Sequence, residues 1–179
     1  LALPAADMWS WTMPGKTYSL TQWLGEVAIA AAERIGGEFG KQSLAATLAS
    51  LTILISYKAA RCYLANRTAA IMSALVGCTV MVSMTCRPHL FTFVGLATLS
   101  WIFAAHETSG RKWPLLLVPP VMALWVNLHG GYAFGLIYLW LLVGAAVVAA
   151  FTRNELGKQR HSLLLLCGVP FANRVRPLV

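Results

Sequence analysis

Between Lys112 and Arg153 the chain carries no Asp, Glu, Lys or Arg. A stretch of that length without charge is long enough to be buried in lipid, and it sets the first constraint on the fold. It is interrupted once, by the polar and glycine-rich "NLHGGY" at residues 127–132. Further uncharged runs lie upstream, over residues 43–57, 68–86 and 88–106. The whole chain is 58% hydrophobic and only 11% charged, against about 25% charged in a typical soluble domain. These runs are of helix-spanning length, so the expected fold is all-α: a polytopic transmembrane bundle of about five to six helices.

Charge and cysteine content narrow the class further. The formal net charge is +8, which in a soluble domain would suggest nucleic-acid binding. Here the basic residues fall mostly in short connections between apolar runs, where the positive-inside rule places them, so no nucleic-acid partner is expected. The four cysteines, Cys62, Cys78, Cys86 and Cys167, form no CxxC pair and read as small apolar packing residues. There is no P-loop, GxGxxG, HExxH or GxSxG, and no acidic residue lies inside the five expected spans, which disfavours an ion-coupled transporter.

Residues 1–42 read as an external loop followed by an interfacial helix, and residues 43–179 as the transmembrane bundle. In the first part, Trp9, Trp11, Tyr18 and Trp23 suit a membrane interface. A helix over 22–36 carries Glu26, Glu33 and Arg34, too polar to span alone, and "IGGEFG" ends it. Spans are expected at about 43–64, 68–86, 89–106, 114–127 and 131–151, with a sixth starting near 162. The fourth is short and carries Pro119 and Pro120, which predicts a kinked, tilted or partly re-entrant element. The start at Leu1 and the ending "GVPFANRVRPLV" point to a piece of a longer chain.

If all five spans cross, Lys58, Arg61, Arg67, Arg111, Lys112, Arg153, Lys158 and Arg160 share one side, which should be cytoplasmic. The other side then gathers the aromatic N-terminal segment, "CRPHLF" at 86–91 and "NLHGGY" at 127–132. Candidate chemistry lies there. Arg87 is either an interfacial anchor or a bidentate grip on a phosphate. His89, Asn127 and His129 supply polar contacts. Gly130 and Gly131 allow positive φ or close approach, and can leave amides free for an anion at the next helix start. Asp7 and Glu26 are the acids of this face, as turn and solvated residues or as a general base or metal ligand. A metal held by His89 and His129 alone lacks a sure third ligand.

Three of these stretches carry a family resemblance. "LPAADMWSWTMPGKTYSLTQWLGEV" at 3–27, "RPHLFTF" at 87–93 and "LWVNLHGGYAFG" at 124–135 resemble a large group of bacterial membrane proteins. That group looks like polytopic glycosyltransferases of the GT-C type. The resemblance spans about residues 3–151, with W-x-N-x-H-G-G its most distinctive part and D-x-x-S-x-T-x-x-G looser. It implies an inner-membrane bundle that uses a polyprenyl-phosphate-linked sugar on the extracytoplasmic face. On that resemblance Arg87 would hold the donor phosphate. His89, Asn127, His129, Gly130 and Gly131 would complete the binding site, and Asp7 or Glu26 would assist catalysis. The main catalytic acid is expected upstream of Leu1, and "PFANRVRPLV" departs from the group's usual continuation. No cofactor is implied, although the acids leave a divalent metal open. The alternative is a non-enzymatic lipid-binding, transport or assembly component of the membrane.

Overall fold

The computed structural model describes Gly15, residues 22–82 and residues 86–166. Five α-helices follow one another: α1 (Trp23–Arg61), α2 (Asn66–Val82), α3 (His89–Ser109), α4 (Val118–Leu128) and α5 (Tyr132–Leu166). A 3₁₀ helix, Trp113–Leu117, leads into α4. No strand occurs among the described residues. The all-α expectation therefore holds. Three helices are long and apolar enough to cross a membrane: α1, α3 and the Tyr132–Thr152 part of α5.

The first helix has two limbs. Gly37 adopts φ 56°, ψ −139°, a backbone state open to glycine and strained for other residues. Residues 23–36 and 38–61 are therefore separate helical limbs, and the break expected at "IGGEFG" is real. The limbs turn back on each other. Residues eight apart in a straight helix are separated by about 12 Å along its axis, yet a Cβ on Gly40 would collide with the Ala32 carbonyl. Lys41 closes the bend with ion pairs to Glu33 at 3.2 Å and Glu38 at 2.9 Å.

The second limb builds the core with α2 and α3. Ala45, Leu48, Ala49 and Thr52 recur at helical spacing and are buried. They face α3, whose buried residues include Leu90, Thr92, Gly95, Leu99 and Ile102. Val80 of α2 joins Ala45, Leu48, Ala49 and Leu90 in one cluster. Small residues dominate the α1 side, which lets the backbones come close, the usual basis of helix association in lipid. At the far end of the bundle the Tyr63 hydroxyl donates to Glu107. This contact ties the α1–α2 connection to the end of α3, about 22 Å along that helix from Thr92. Lys58 and Arg61 in the last turn of α1, Arg67 in the first turn of α2, and Arg111 and Lys112 after α3 flank these same connections.

The two prolines do not kink α4. Pro119 and Pro120 stand in its first turn, where the missing amide hydrogen has no helical partner to lose. The preceding 3₁₀ turn rises faster per residue, so the pair together extends at most about 27 Å, close to a hydrocarbon core of roughly 30 Å.

The chain divides into two compact units after Gly135. The sequence boundary drawn at residue 42 falls inside the first unit, because both limbs of α1 belong to it. From Leu136 onward α5 is a single helix through Leu166. The expected connection between a fifth and a sixth span is therefore helical. "RNELGKQR" at 153–160 is rich in good helix formers, and a drop in hydropathy there does not stop the helix. Along Leu136–Phe151 most of the large apolar side chains are exposed, with Trp140 at 74% and Leu141 and Phe151 at 67%. Such a surface is far more apolar than water tolerates on a monomer. Hydroxyls along the helices are turned inward to their own backbone: Thr47, Thr52, Thr79, Thr98, Thr108 and Thr152 each donate to a carbonyl one turn earlier. That arrangement suits a solvent that cannot hydrogen-bond.

Trp125 of α4 is the largest fully buried side chain among the described residues. Its ring lies where a Cβ on Gly95 of α3 would come within 2.5 Å, and one on Gly135 of α5 within 2.6 Å. Gly95→Ala should therefore destabilise the fold by about 1–3 kcal/mol through overpacking. Thermal melting of the detergent-solubilised protein reads this effect, and an unchanged melting temperature would show that the ring can move aside freely.

Candidate functional site

Three stretches far apart in sequence meet at one end of the first unit. The first limb of α1 brings Trp23 and Gly25, the start of α3 brings Thr92 with His89 one turn before it, and the α4–α5 junction brings residues 127–131. Of the convergence expected from the charge pattern, Trp23 and the start of α3 do reach the α4–α5 junction, and the aromatic segment ahead of residue 22 lies outside the described residues apart from Gly15.

Asn127 joins two of the stretches. Its Oδ1 accepts from Trp23 Nε1 at 2.9 Å, and its Nδ2 donates to the Ala123 carbonyl at 2.8 Å. The indole can only donate and the carbonyl can only accept, so both partners fix the same orientation of the amide. Asn127 is first of all a strut between α1 and α4. Beside it, a Cβ on Gly25 would collide with the Leu128 carbonyl, so the limb packs directly against the last turn of α4. Glu26 is half-buried one residue further on, and its carboxylate has no partner among the described residues. Asp7 lies outside the described residues.

His129 ties the junction to α3. Its Nδ1 lies 2.7 Å from Thr92 Oγ1 and accepts the Gly131 N–H at 3.0 Å. Thr92 is buried. Burial pushes the His129 imidazole below its usual pKa, and the charge of His89 adds to the effect. His89 itself stands edge-on to Phe93, with ring centroids 5.8 Å apart. Burial pushes the nearby Cys86 thiol up, with Lys41 opposing the shift. The two histidines gather no third His, Cys, Asp or Glu into a group that could hold a metal, among the described residues.

The glycines of the junction differ in role. Neither Gly130 nor Gly131 has positive φ. Around Gly130 an added Cβ would meet nothing within 4 Å, whereas on Gly131 it would strike Thr92 Oγ1 and lie 2.7 Å from His129 Nδ1. The amides expected to be free at the start of α5 are engaged. Tyr132, Ala133 and Phe134 donate to the carbonyls of His129, Gly130 and Gly131 at 3.2, 3.3 and 3.0 Å, and Gly131 donates to the imidazole. The backbone alone therefore makes no open anion nest. Side chains of this end do remain free. Arg87 is exposed just ahead of α3, without a side-chain partner among the described residues. The carbonyls of Arg87 and Pro88 accept the first amides of α3, at 3.2 and 3.1 Å.

Sequence reasoning singled out Arg87, His89, Asn127, His129, Gly130, Gly131 and Glu26, and missed Thr92, Trp23, Gly25 and Trp125 as structural partners. All four lie within the quoted stretches "LTQWLGEV", "RPHLFTF" and "LWVNLHGGY". Nothing in their spacing, however, says which helix they touch. In comparisons with known proteins, the chain matches no family model, no curated protein and no solved structure.

Two outcomes are expected at this junction. Gly131→Ala should cost about 1–3 kcal/mol of stability, and Gly130→Ala under about 0.5 kcal/mol. Equal melting temperatures for the two variants would contradict the contact. For His129, a lowered folded pKa means that the unfolded chain takes up the proton first. Its contribution to stability is complete above about pH 6.5 and is lost as pH falls through the lower folded value. The melting temperature should drop between about pH 7 and pH 5, and less steeply in His129→Gln. A slope unaltered by that substitution would assign the loss to other groups.

Proposed function

We propose that the chain is the membrane part of a protein that binds a polyprenyl-phosphate-linked sugar at the α3–α4 end and passes the sugar to an acceptor outside the cytoplasm. The observation that carries this reading is the joining of the first limb of α1, the start of α3 and His129 at one end of an otherwise apolar bundle, with Arg87 exposed just ahead of α3. A lipid-linked donor needs both environments: lipid for its chain, and donors or positive charge for its phosphate. Arg87 provides the charge. His129 and His89 provide neutral or switchable donors, and Asn127 holds the aromatic limb in place. Glu26, unpaired and half-buried on that limb, is the described carboxylate best suited to meet an acceptor hydroxyl.

The orientation follows from charge. Lys58, Arg61, Arg67, Arg111 and Lys112 cluster around the connections at the other end, so the positive-inside rule turns the His129 end outward, in a bacterial inner membrane. Binding without transfer, as a lipid-handling or assembly component, uses the same Arg87 and His129 and differs only in lacking the acid.

The test uses the solubilised chain and a short-chain polyprenyl phosphate. Arg87→Ala should weaken binding roughly ten- to hundredfold, the worth of a charge-assisted hydrogen bond, while Arg111→Ala changes it less than about twofold. Equal binding by both variants and the wild type would remove Arg87 from the site. In a cysteine-free background on intact cells, a membrane-impermeant thiol reagent should label Gly130→Cys and spare Lys112→Cys. The reverse pattern would end the glycosyltransferase reading.

A further inference from the structure

We propose that Thr92 and Gly131 together fix His129 as its Nε2–H tautomer, which makes Nε2 a hydrogen-bond donor for an anionic ligand and Thr92 a positioning residue of the site. This rests on the reading of that end as a phosphate-binding site. A neutral imidazole carries one proton, on either ring nitrogen, and the other nitrogen then accepts. Two contacts decide between them. The Gly131 amide can only donate, and it points at Nδ1 from 3.0 Å. A hydrogen on Nδ1 would face that N–H head-on. Nδ1 is therefore bare, and the Thr92 hydroxyl 2.7 Å away must donate to it as well. The proton of the neutral ring is left to Nε2.

The surroundings hold this choice in place. Thr92 is buried on α3 and Gly131 is walled in by Thr92 and the imidazole, so neither contact is easily replaced by water. His89, one turn before Thr92 on α3, is the titratable neighbour whose charge reaches the ring, and it favours the neutral form. Nε2 has no partner among the described residues, and the adjacent Gly130 has open space around its α-carbon. A helix-capping role for His129 would use Nδ1 alone and leave Nε2 without consequence. The same geometry, however, dictates what Nε2 offers: a donor, suited to a phosphate oxygen on a lipid head group or on free phosphate, and unsuited to a group that must itself donate. Second-contact control of a histidine tautomer is how many functional imidazoles are set.

The experiment is nitrogen NMR of the full chain, ¹⁵N-labelled at histidine, in detergent micelles at about pH 7.5, above the free imidazole pKa. The His129 signals are identified by their loss in His129→Gln. The wild type should show an unprotonated Nδ1 and a protonated Nε2. Thr92→Val, which keeps the shape and removes the hydroxyl, leaves the Gly131 amide as the single donor to Nδ1, so the Nε2–H form should stay dominant with a measurable share of the other tautomer, and Thr92→Ser should remove that share. A protonated Nδ1 in the wild type, or a Thr92→Val pattern identical to wild type, would overturn the proposal. Polyprenyl phosphate and then inorganic phosphate are added to the same samples. The Nε2–H signal should move, with affinity roughly fivefold weaker in Thr92→Val. A response to both titrants supports recognition of the head group alone, and a response to the lipid alone supports recognition that includes its chain. The expected tautomer with no response to either titrant would overturn the phosphate reading of the site while leaving the hold of Thr92 on the ring intact.

Discussion

The arrangement at the His129 end depends on how closely α4 can approach α3, and that distance is set by one indole lying on two glycines. Trp125 fills the space that side chains at residues 95 and 135 would occupy. Lipid tails are as apolar as the ring, so the hydrophobic effect does little to drive this contact. Dense packing does most of it. The indole N–H has no partner among the described residues, a burial that costs about 1–3 kcal/mol and must be offset by that packing. With α4 held at this distance, His129, one turn beyond Trp125, comes within reach of Thr92. The amide of His129 bonds back to the Trp125 carbonyl at 3.0 Å, so ring and imidazole are set by the same turn of backbone.

The polar residues of this end fall into two groups with different duties. Asn127, Thr92 and the Nδ1 side of His129 are committed to bonds within the protein, and they bind α1, α3 and the α4–α5 junction into one structure. Arg87, Glu26 and the Nε2 side of His129 have no such commitments among the described residues. A ligand would therefore meet a small number of free groups on a frame already satisfied internally. This division lowers the reorganisation needed on binding. It also means that substitutions at Asn127 and at Arg87 should differ in kind, one loosening the frame and the other leaving it whole.

Much of the fold was legible in the sequence because it is written in one dimension. Uncharged runs located the helices, the glycine cluster at 36–40 located the break in α1, and the basic residues at 58–67 and 111–112 pointed to a shared end that the Tyr63–Glu107 contact brings together. The stretch at 153–160 misled for a physical reason. Polarity there argues for a connection, whereas helix propensity, which polarity does not remove, keeps the backbone in α5. Pro119 and Pro120 bear on the kink alone, since a proline's effect depends on its place in the helix and not on its presence. At the site, residue types were readable and partners were not. That Thr92 meets His129, or that Trp23 meets Asn127, depends on helix–helix geometry that no local spacing encodes.

The first limb of α1 is held at both of its ends. Near residue 23 it is bonded to Asn127 and pressed on Leu128, and near residue 33 it is clamped to Lys41 across the Gly37 bend. A helix pinned twice is a gauge of fixed length. One residue added or removed between the pins would turn one end by about 100° relative to the other and shift it by about 1.5 Å, so that both attachments cannot be kept. Across homologous chains the number of residues between Trp23 and Gly37 should therefore vary far less than their identities, and gaps in an alignment should collect elsewhere.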